Sequence, residues 1–106
     1  MDQKVESHQF SEANGNPAGG QTFGPGLCIA WQNGPLAVDG QRKEPNGCFV
    51  ETVIEAAIQR LEFYQQSKFR SDYNEQAIRH LCHARSALEE RTWNRETRGV
   101  EGTHLE

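Results

Sequence analysis

The placement of glycine and proline constrains this chain more than any other feature. All four prolines and eight of the ten glycines lie at or before Gly47, and Cys48 to Thr97 contains neither. These residues punctuate turns and end helices, so the boundary separates a turn-rich segment from a helical one. In the helical segment Val50, Ile54, Ala57, Leu61 and Tyr64 recur at steps of four, three, four and three residues, the spacing of one helical face, and Val53 and Ile58 widen the stripe. Ser67 to Arg70 turns the chain. Ser71 or Asp72 then offers an N-cap, and Glu75 sits where a carboxylate complements the positive end of a second helix. That helix is expected to run to about Arg98, with Gly99 placed to end it.

Before Gly47 the pattern is different. Residues 1–26 include Asn14-Gly15-Asn16-Pro17-Ala18-Gly19-Gly20 and offer little to bury, which reads as a flexible or turn-rich arm. Leu27, Ile29 and Trp31 alternate as a strand with one buried face, and Asn33-Gly34 supplies the residues of a tight turn. The expected return is Leu36 to Val38, held to an edge or irregular position because Pro35 cannot donate to a ladder. The fold class read from the chain is therefore α+β: a small N-terminal antiparallel β element followed by a long two-helix antiparallel hairpin, with residues 27–106 as the folded part.

Burial is where such a chain is poor. With 106 residues it can build one small domain at most, and it is only 35% hydrophobic with a mean hydropathy of −0.82, so other subunits are the expected source of the missing contact. Eleven basic against fifteen acidic residues give a net charge of −4, which argues against a general duplex-DNA binder. No apolar run approaches the roughly 20 residues of a membrane span, and the polar start Met1-Asp2-Gln3-Lys4 lacks the apolar core of a signal peptide, so a soluble, cytoplasmic protein is expected. Cys28, Cys48 and Cys82 are odd in number and widely spaced, as suits reduced thiols.

The second helix carries the informative pattern. Asn74, Ala77, Leu81, Ala84, Leu88, Arg91, Arg95 and Arg98 recur at intervals of three or four, one face on which small and apolar groups give way to three guanidiniums. Arg91 and Arg95 repel each other at i,i+4 spacing unless something anionic intervenes. Three readings compete: cations that complement the end of a helix, an intersubunit salt-bridge cluster with Glu51, Glu55 or Glu101, and a clamp for the phosphates of a small ligand, since a guanidinium holds phosphate oxygens bidentately. Tyr64 and Asn74 fall at the turn end of the hairpin and Arg91 lies seventeen residues beyond Asn74, roughly 25 Å at 1.5 Å per residue. An aromatic platform, an amide and an arginine clamp can then meet only where hairpins of two chains pack with opposed ends together, which predicts sites between subunits.

Catalytic and metal chemistry find no comparable constellation. His80 and His83 at i,i+3 make a poor zinc signature, Cys82 beside Leu81 suits packing, and no paired carboxylates, GxSxG or P-loop is present, so neither an enzyme nor a cofactor is expected.

The tail Arg91-Thr92-Trp93-Asn94-Arg95-Glu96-Thr97-Arg98-Gly99-Val100-Glu101-Gly102-Thr103 resembles the end of the phage Thoeris anti-defence sponges of the first described type, which share a helical-hairpin domain with the anti-CBASS sponges. Trp31-Gln32-Asn33-Gly34-Pro35, Asn46-Gly47, Arg60-Leu61-Glu62-Phe63-Tyr64-Gln65 and Asn74-Glu75 extend the likeness over roughly Ile29 to Thr103. The resemblance implies a homohexamer that sequesters cyclic ADP-ribose isomers, messengers of bacterial TIR proteins, without cutting them, in the cytoplasm of the infected host. It implies cyclic oligonucleotides as further cargo at separate positions. By motif, Arg91 and Arg95 correspond to phosphate-binding arginines, Asn74 to a ligand-contacting amide, and Tyr64 to a base-packing aromatic that is Phe in the family. Phe63, Arg98 and Trp93 are supporting candidates, and Trp93 with Val100 to His104 a candidate lid. The rival expectations are a sponge for the cyclic di- or trinucleotides of CBASS, a hydrolase or lyase of the same messengers, and a non-enzymatic module that docks an acidic protein.

Overall fold

The computed structural model describes residues 3–33, 37–38, 41–42 and 44–97, with the backbone alone at 37–38, 41–42 and 95–97. Three strands, β1 (Glu6–Ser11), β2 (Pro17–Gly24) and β3 (Leu27–Trp31), form an antiparallel sheet in the order β1-β2-β3. Two-residue strands β4 (Ala37–Val38) and β5 (Gln41–Arg42) pair with each other. Helices α1 (Val50–Gln65) and α2 (Asp72–Thr97) follow. The architecture is α+β, and the chain divides into two compact units, one holding the strands and the other spanning Val50–Arg95.

The segment expected to be a flexible or turn-rich arm supplies two of the three sheet strands. Its glycines make the turns that allow this. Gly15 takes a φ of 89° between β1 and β2, where Gly15 N–H donates to Glu12 O at 2.9 Å and Asn16 N–H to Asn14 Oδ1 at 3.0 Å. Pro25 and Gly26 then join β2 to β3, with Gly24 opposite Leu27 and Gly26 at φ 72°, the proline-then-positive-φ-glycine signature of a type II turn. Apolar content misleads here because hydrogen bonds carry much of the sheet. Thr22 accepts from Trp31 Nε1–H at 2.8 Å and its hydroxyl meets that of Ser7 at 2.9 Å, which ties one face of all three strands, while His8 stacks on Phe23 with ring centres 5.8 Å apart. Every residue of β1 is exposed.

The strand Leu27–Trp31 lies where alternation places it, but its partner is β2; of the expected return, Ala37–Val38 pair with β5 and Leu36 lies outside the described residues. Beyond Trp31 the chain meets residues 46–48. Cys48 N–H donates to Ala30 O at 2.7 Å and Gln32 N–H to Cys48 O at 3.0 Å. Gln32 and Asn46 complete a reciprocal clasp, with Asn46 N–H on Gln32 Oε1 at 2.9 Å, Asn33 N–H on Asn46 Oδ1 at 2.8 Å and Asn46 Nδ2 on Asn33 O at 2.7 Å. Gly47 is required at this crossing, since a Cβ there would stand 2.6 Å from the Trp31 carbonyl.

In the helical unit, α1 begins and ends where the apolar stripe does. Ser71 caps α2, its Oγ accepting from Asn74 N–H at 3.1 Å, and Asp72 and Glu75 occupy the first turn, where carboxylates complement the positive end of the helix. The stripe buries little. Among the described residues Ile58, 2% exposed, is the one large side chain removed from solvent; Val53, Ile54, Leu61 and Tyr64 are half-buried and Val50 is 51% exposed.

Candidate ligand site

At the turn end, α1 stops and the chain reverses through residues 66–71. Tyr64 O accepts from both Ser67 N–H, at 3.0 Å, and Ser67 Oγ, at 2.7 Å, while Ser67 Oγ in turn accepts from Phe69 N–H at 3.1 Å. Gln65 closes the reversal: its Oε1 accepts Ser71 N–H at 2.9 Å and its Nε2 donates to Ser71 O at 3.1 Å. Asn74 joins the same set through Nδ2, which donates to Gln65 Oε1 at 3.1 Å and Phe69 O at 3.2 Å. The turn thus carries Tyr64 and Asn74 to one end of the hairpin, as the spacing implied. It also shows what the sequence could not: both Asn74 donors are committed to shaping the turn, which leaves Oδ1 as its open polar atom among the described residues.

Tyr64 is half-buried and belongs to an arginine–aromatic cluster. The Arg60 guanidinium lies over the Tyr64 ring at 4.9 Å and the Phe63 ring at 5.1 Å, and Arg60 Nε–H donates to the Tyr64 hydroxyl at 3.2 Å. Phe63 is 59% exposed, its ring 6.3 Å from that of Tyr64 and tilted by 48°. Arg60 carries no ion pair among the described residues.

Toward the other end of α2 the face expected to be continuous does not stay in line. Thr92 and Arg85 are half-buried, whereas Arg91 and Ala84 are exposed. The reason is helical pitch. A three-four alternation averages 3.5 residues per turn against 3.6 for the α-helix, so seventeen residues leave Arg91 about 100° around the axis from Asn74, while eighteen bring Thr92 back into line. Arg91 is therefore solvent-facing in the chain and forms no ion pair among the described residues. The side chain of Arg95 and all of Arg98, together with the candidate lid residues Val100 to His104, lie outside the described residues, and Trp93 is 65% exposed.

Spacing missed Arg85, which pairs with Glu55 across the hairpin and approaches Glu89 Oε1 at 3.9 Å and Cys82 Sγ at 3.9 Å. Glu55, one of the acids considered as a partner for the arginine cluster, is thus engaged within its own hairpin. Its carboxyl is held below the ordinary carboxylate range by the Gln59 amide, which donates to it at 3.3 Å, and then by Arg85; Glu55 in turn raises the Arg85 guanidinium. An open concavity lined by Glu51, Thr52, Glu55, Arg85 and Glu89 surrounds the pair. Among the described residues no three His, Cys, Asp or Glu side chains are grouped to hold a metal, and no helix is long and apolar enough to cross a membrane.

No family model matches the chain. It is, however, 41% identical over 76 residues to Thoeris anti-defense 1 of Bacillus phage SBSphiJ7, an alignment covering 72% of this chain. The chain is a homologue of Thoeris anti-defense 1. It spans about half the length of that relative, since the match covers 51% of it. Two of the segments that carry the resemblance, Trp31 to Asn33 and Asn46-Gly47, are the two that clasp each other beside β3. A third, Arg60 to Gln65, holds the arginine–aromatic cluster, and a fourth, Asn74-Glu75, opens α2 against it.

Proposed function

We propose that this chain counters Thoeris defence by capturing its anionic cyclic nucleotide messengers, cyclic ADP-ribose isomers, stoichiometrically and without cleavage. The observation that carries this reading is Arg91, an exposed guanidinium with no carboxylate partner among the described residues, on a helix of a Thoeris anti-defense 1 homologue. A permanently charged fork left open in this way suits a pyrophosphate. Arg91 and Arg95 would take the phosphates, Tyr64 a base or sugar face, and Asn74 a polar edge through its unused Oδ1. Phe63, Trp93 and Arg98 would support them.

A single hairpin cannot complete this site, because Asn74 and Arg91 stand roughly 25 Å apart on one straight helix. The site would form where the turn end of one copy meets the arginine end of another. A second observation favours assembly: Ile58 is the one large side chain fully buried among the described residues, and Phe63, Phe69 and Tyr73 are 59%, 66% and 84% exposed. Association would cover such surface, and a homohexamer is the arrangement we propose.

Calorimetry with glycocyclic ADP-ribose against linear ADP-ribose, run beside a panel of cyclic di- and trinucleotides, tests the cargo. The expected result is nanomolar capture of a cyclic ADP-ribose isomer, about 12 kcal/mol of binding free energy, with weak binding of the linear form. Heat denaturation of the complex should return the ligand intact. Selective capture of the panel nucleotides would reassign the cargo, a new product peak would make the chain an enzyme, and no binding at all would leave protein docking as the better reading.

A further inference from the structure

We propose that Arg60 is a ligand-binding residue of this site, holding the Tyr64 ring as a one-sided platform and offering its remaining N–H groups to a phosphate or other anionic group of the nucleotide. The inference rests on the functional reading of Tyr64 above and adds a residue to it. The geometry points to this through three contacts made by one side chain. Arg60 Nε–H donates to the Tyr64 hydroxyl at 3.2 Å, and the guanidinium lies 4.9 Å from the Tyr64 ring centre and 5.1 Å from that of Phe63. Residues three and four apart on a helix are neighbours, so a single arginine reaches both rings.

Two consequences follow. A guanidinium beside the hydroxyl rim of the Tyr64 ring crowds one side of it, so a base is best accommodated on the opposite face. The hydroxyl bond also fixes the ring plane, which lowers the ordering cost of stacking. The Nε–H is spent on Tyr64, but the terminal nitrogens have no protein acceptor among the described residues and no carboxylate neutralises the charge. A cation held beside an aromatic face with donors to spare is matched to a ligand carrying a base and a phosphate together. Tyrosine at position 64 is then functional, since phenylalanine could stack and keep the cation–π contact but could not accept the Arg60 Nε–H bond.

The test uses the full chain. In the ligand-free protein, nuclear magnetic resonance should show Arg60 Nε–H exchanging slowly with water, and Tyr64→Phe should restore fast exchange. In calorimetry with a cyclic ADP-ribose isomer, Arg60→Ala should weaken binding about tenfold and reduce its salt dependence. Arg60→Lys, which keeps charge without the planar fork, should recover less than half of the loss on a free-energy scale, and Tyr64→Phe should cost about threefold through the lost hydroxyl bond. Thermal midpoints should stay within about a degree, as expected for a change at an exposed site. Undiminished binding by Arg60→Ala, or full recovery with Arg60→Lys, would overturn the assignment while leaving the sequestration reading in place. Absence of nucleotide binding by the unaltered chain would remove both, and the exchange measurement would then report Arg60 as a purely structural partner of Tyr64.

Discussion

At the turn end of the hairpin, Gln65, Ser67, Ser71 and Asn74 satisfy one another and the backbone, so that the polar groups there shape the reversal. Toward the opposite end, Arg91 points into solvent with no ion pair among the described residues. Both regions are polar, and sequence alone ranks their residues alike. The difference shows that a polar residue at a candidate site has to be weighed by what it already holds. Asn74 has both side-chain donors in use, whereas Arg91 has no hydrogen-bond or ion-pair partner for its guanidinium among the described residues.

The contrast can be broken most decisively at the free end. Arg91→Ala should remove about 2 to 4 kcal/mol of messenger binding, the cost of deleting a charged hydrogen-bond partner, while leaving the thermal midpoint unchanged. Calorimetry paired with a melting curve checks it, and normal affinity would show that the free guanidinium is idle. A smaller and mixed effect is expected at the turn end, where Asn74→Ala should cost about 1 to 2 kcal/mol of stability because two hydrogen bonds to the turn are lost. Chemical denaturation measures this directly. An unaltered unfolding midpoint with lost binding would mean that Asn74 serves the ligand and not the turn, which would erase the distinction between the two ends.

The smallest effect belongs to the ion pair that lies between them. Glu55 has a lowered folded-state pKa, from the Gln59 hydrogen bond first and Arg85 second, so its contribution is fully present above the unfolded glutamate value of about 4.3 and is lost as pH falls through the lowered value. Glu55→Gln should therefore cost a small amount of stability at neutral pH, where an exposed pair contributes little, and converge on the unaltered chain as pH falls below about 4, where the protonated carboxyl resembles the amide. Thermal midpoints taken between pH 3 and 7 check the sign; a loss that persists undiminished at pH 3 would show that the side chain acts through something other than its charge.

The two helices were legible because their signals are local. Val50 to Tyr64 follows helical spacing, Ser71 caps, and glycine and proline stop at Gly47; each acts within a few residues, and α1 and α2 form where those signals lie. The strand at Leu27 to Trp31 was legible for the same reason. Its partner was not, because pairing is a long-range choice: Thr22 bridging Ser7 and Trp31 selects β2, and nothing in the alternation of Leu27, Ile29 and Trp31 names that neighbour. Residues 1–26 read as a flexible or turn-rich arm because their apolar content is low, and a ladder satisfied by backbone hydrogen bonds needs little of it.

For the candidate site the division is similar. Sequence selected Tyr64, Asn74, Arg91 and Arg95 by residue type and spacing, and it placed Tyr64 and Asn74 at one end of a hairpin. Only the folded chain assigned Asn74's donors to the turn, put Arg60 over Tyr64 and Phe63, and joined Glu55 to Arg85, whereas the turning of Arg91 off the line that starts at Asn74 follows from helical pitch alone. The physical reason is that periodicity fixes which way a residue faces over a turn or two. Which hydrogen-bonding groups are already spent depends on neighbours that the chain acquires only by folding back on itself.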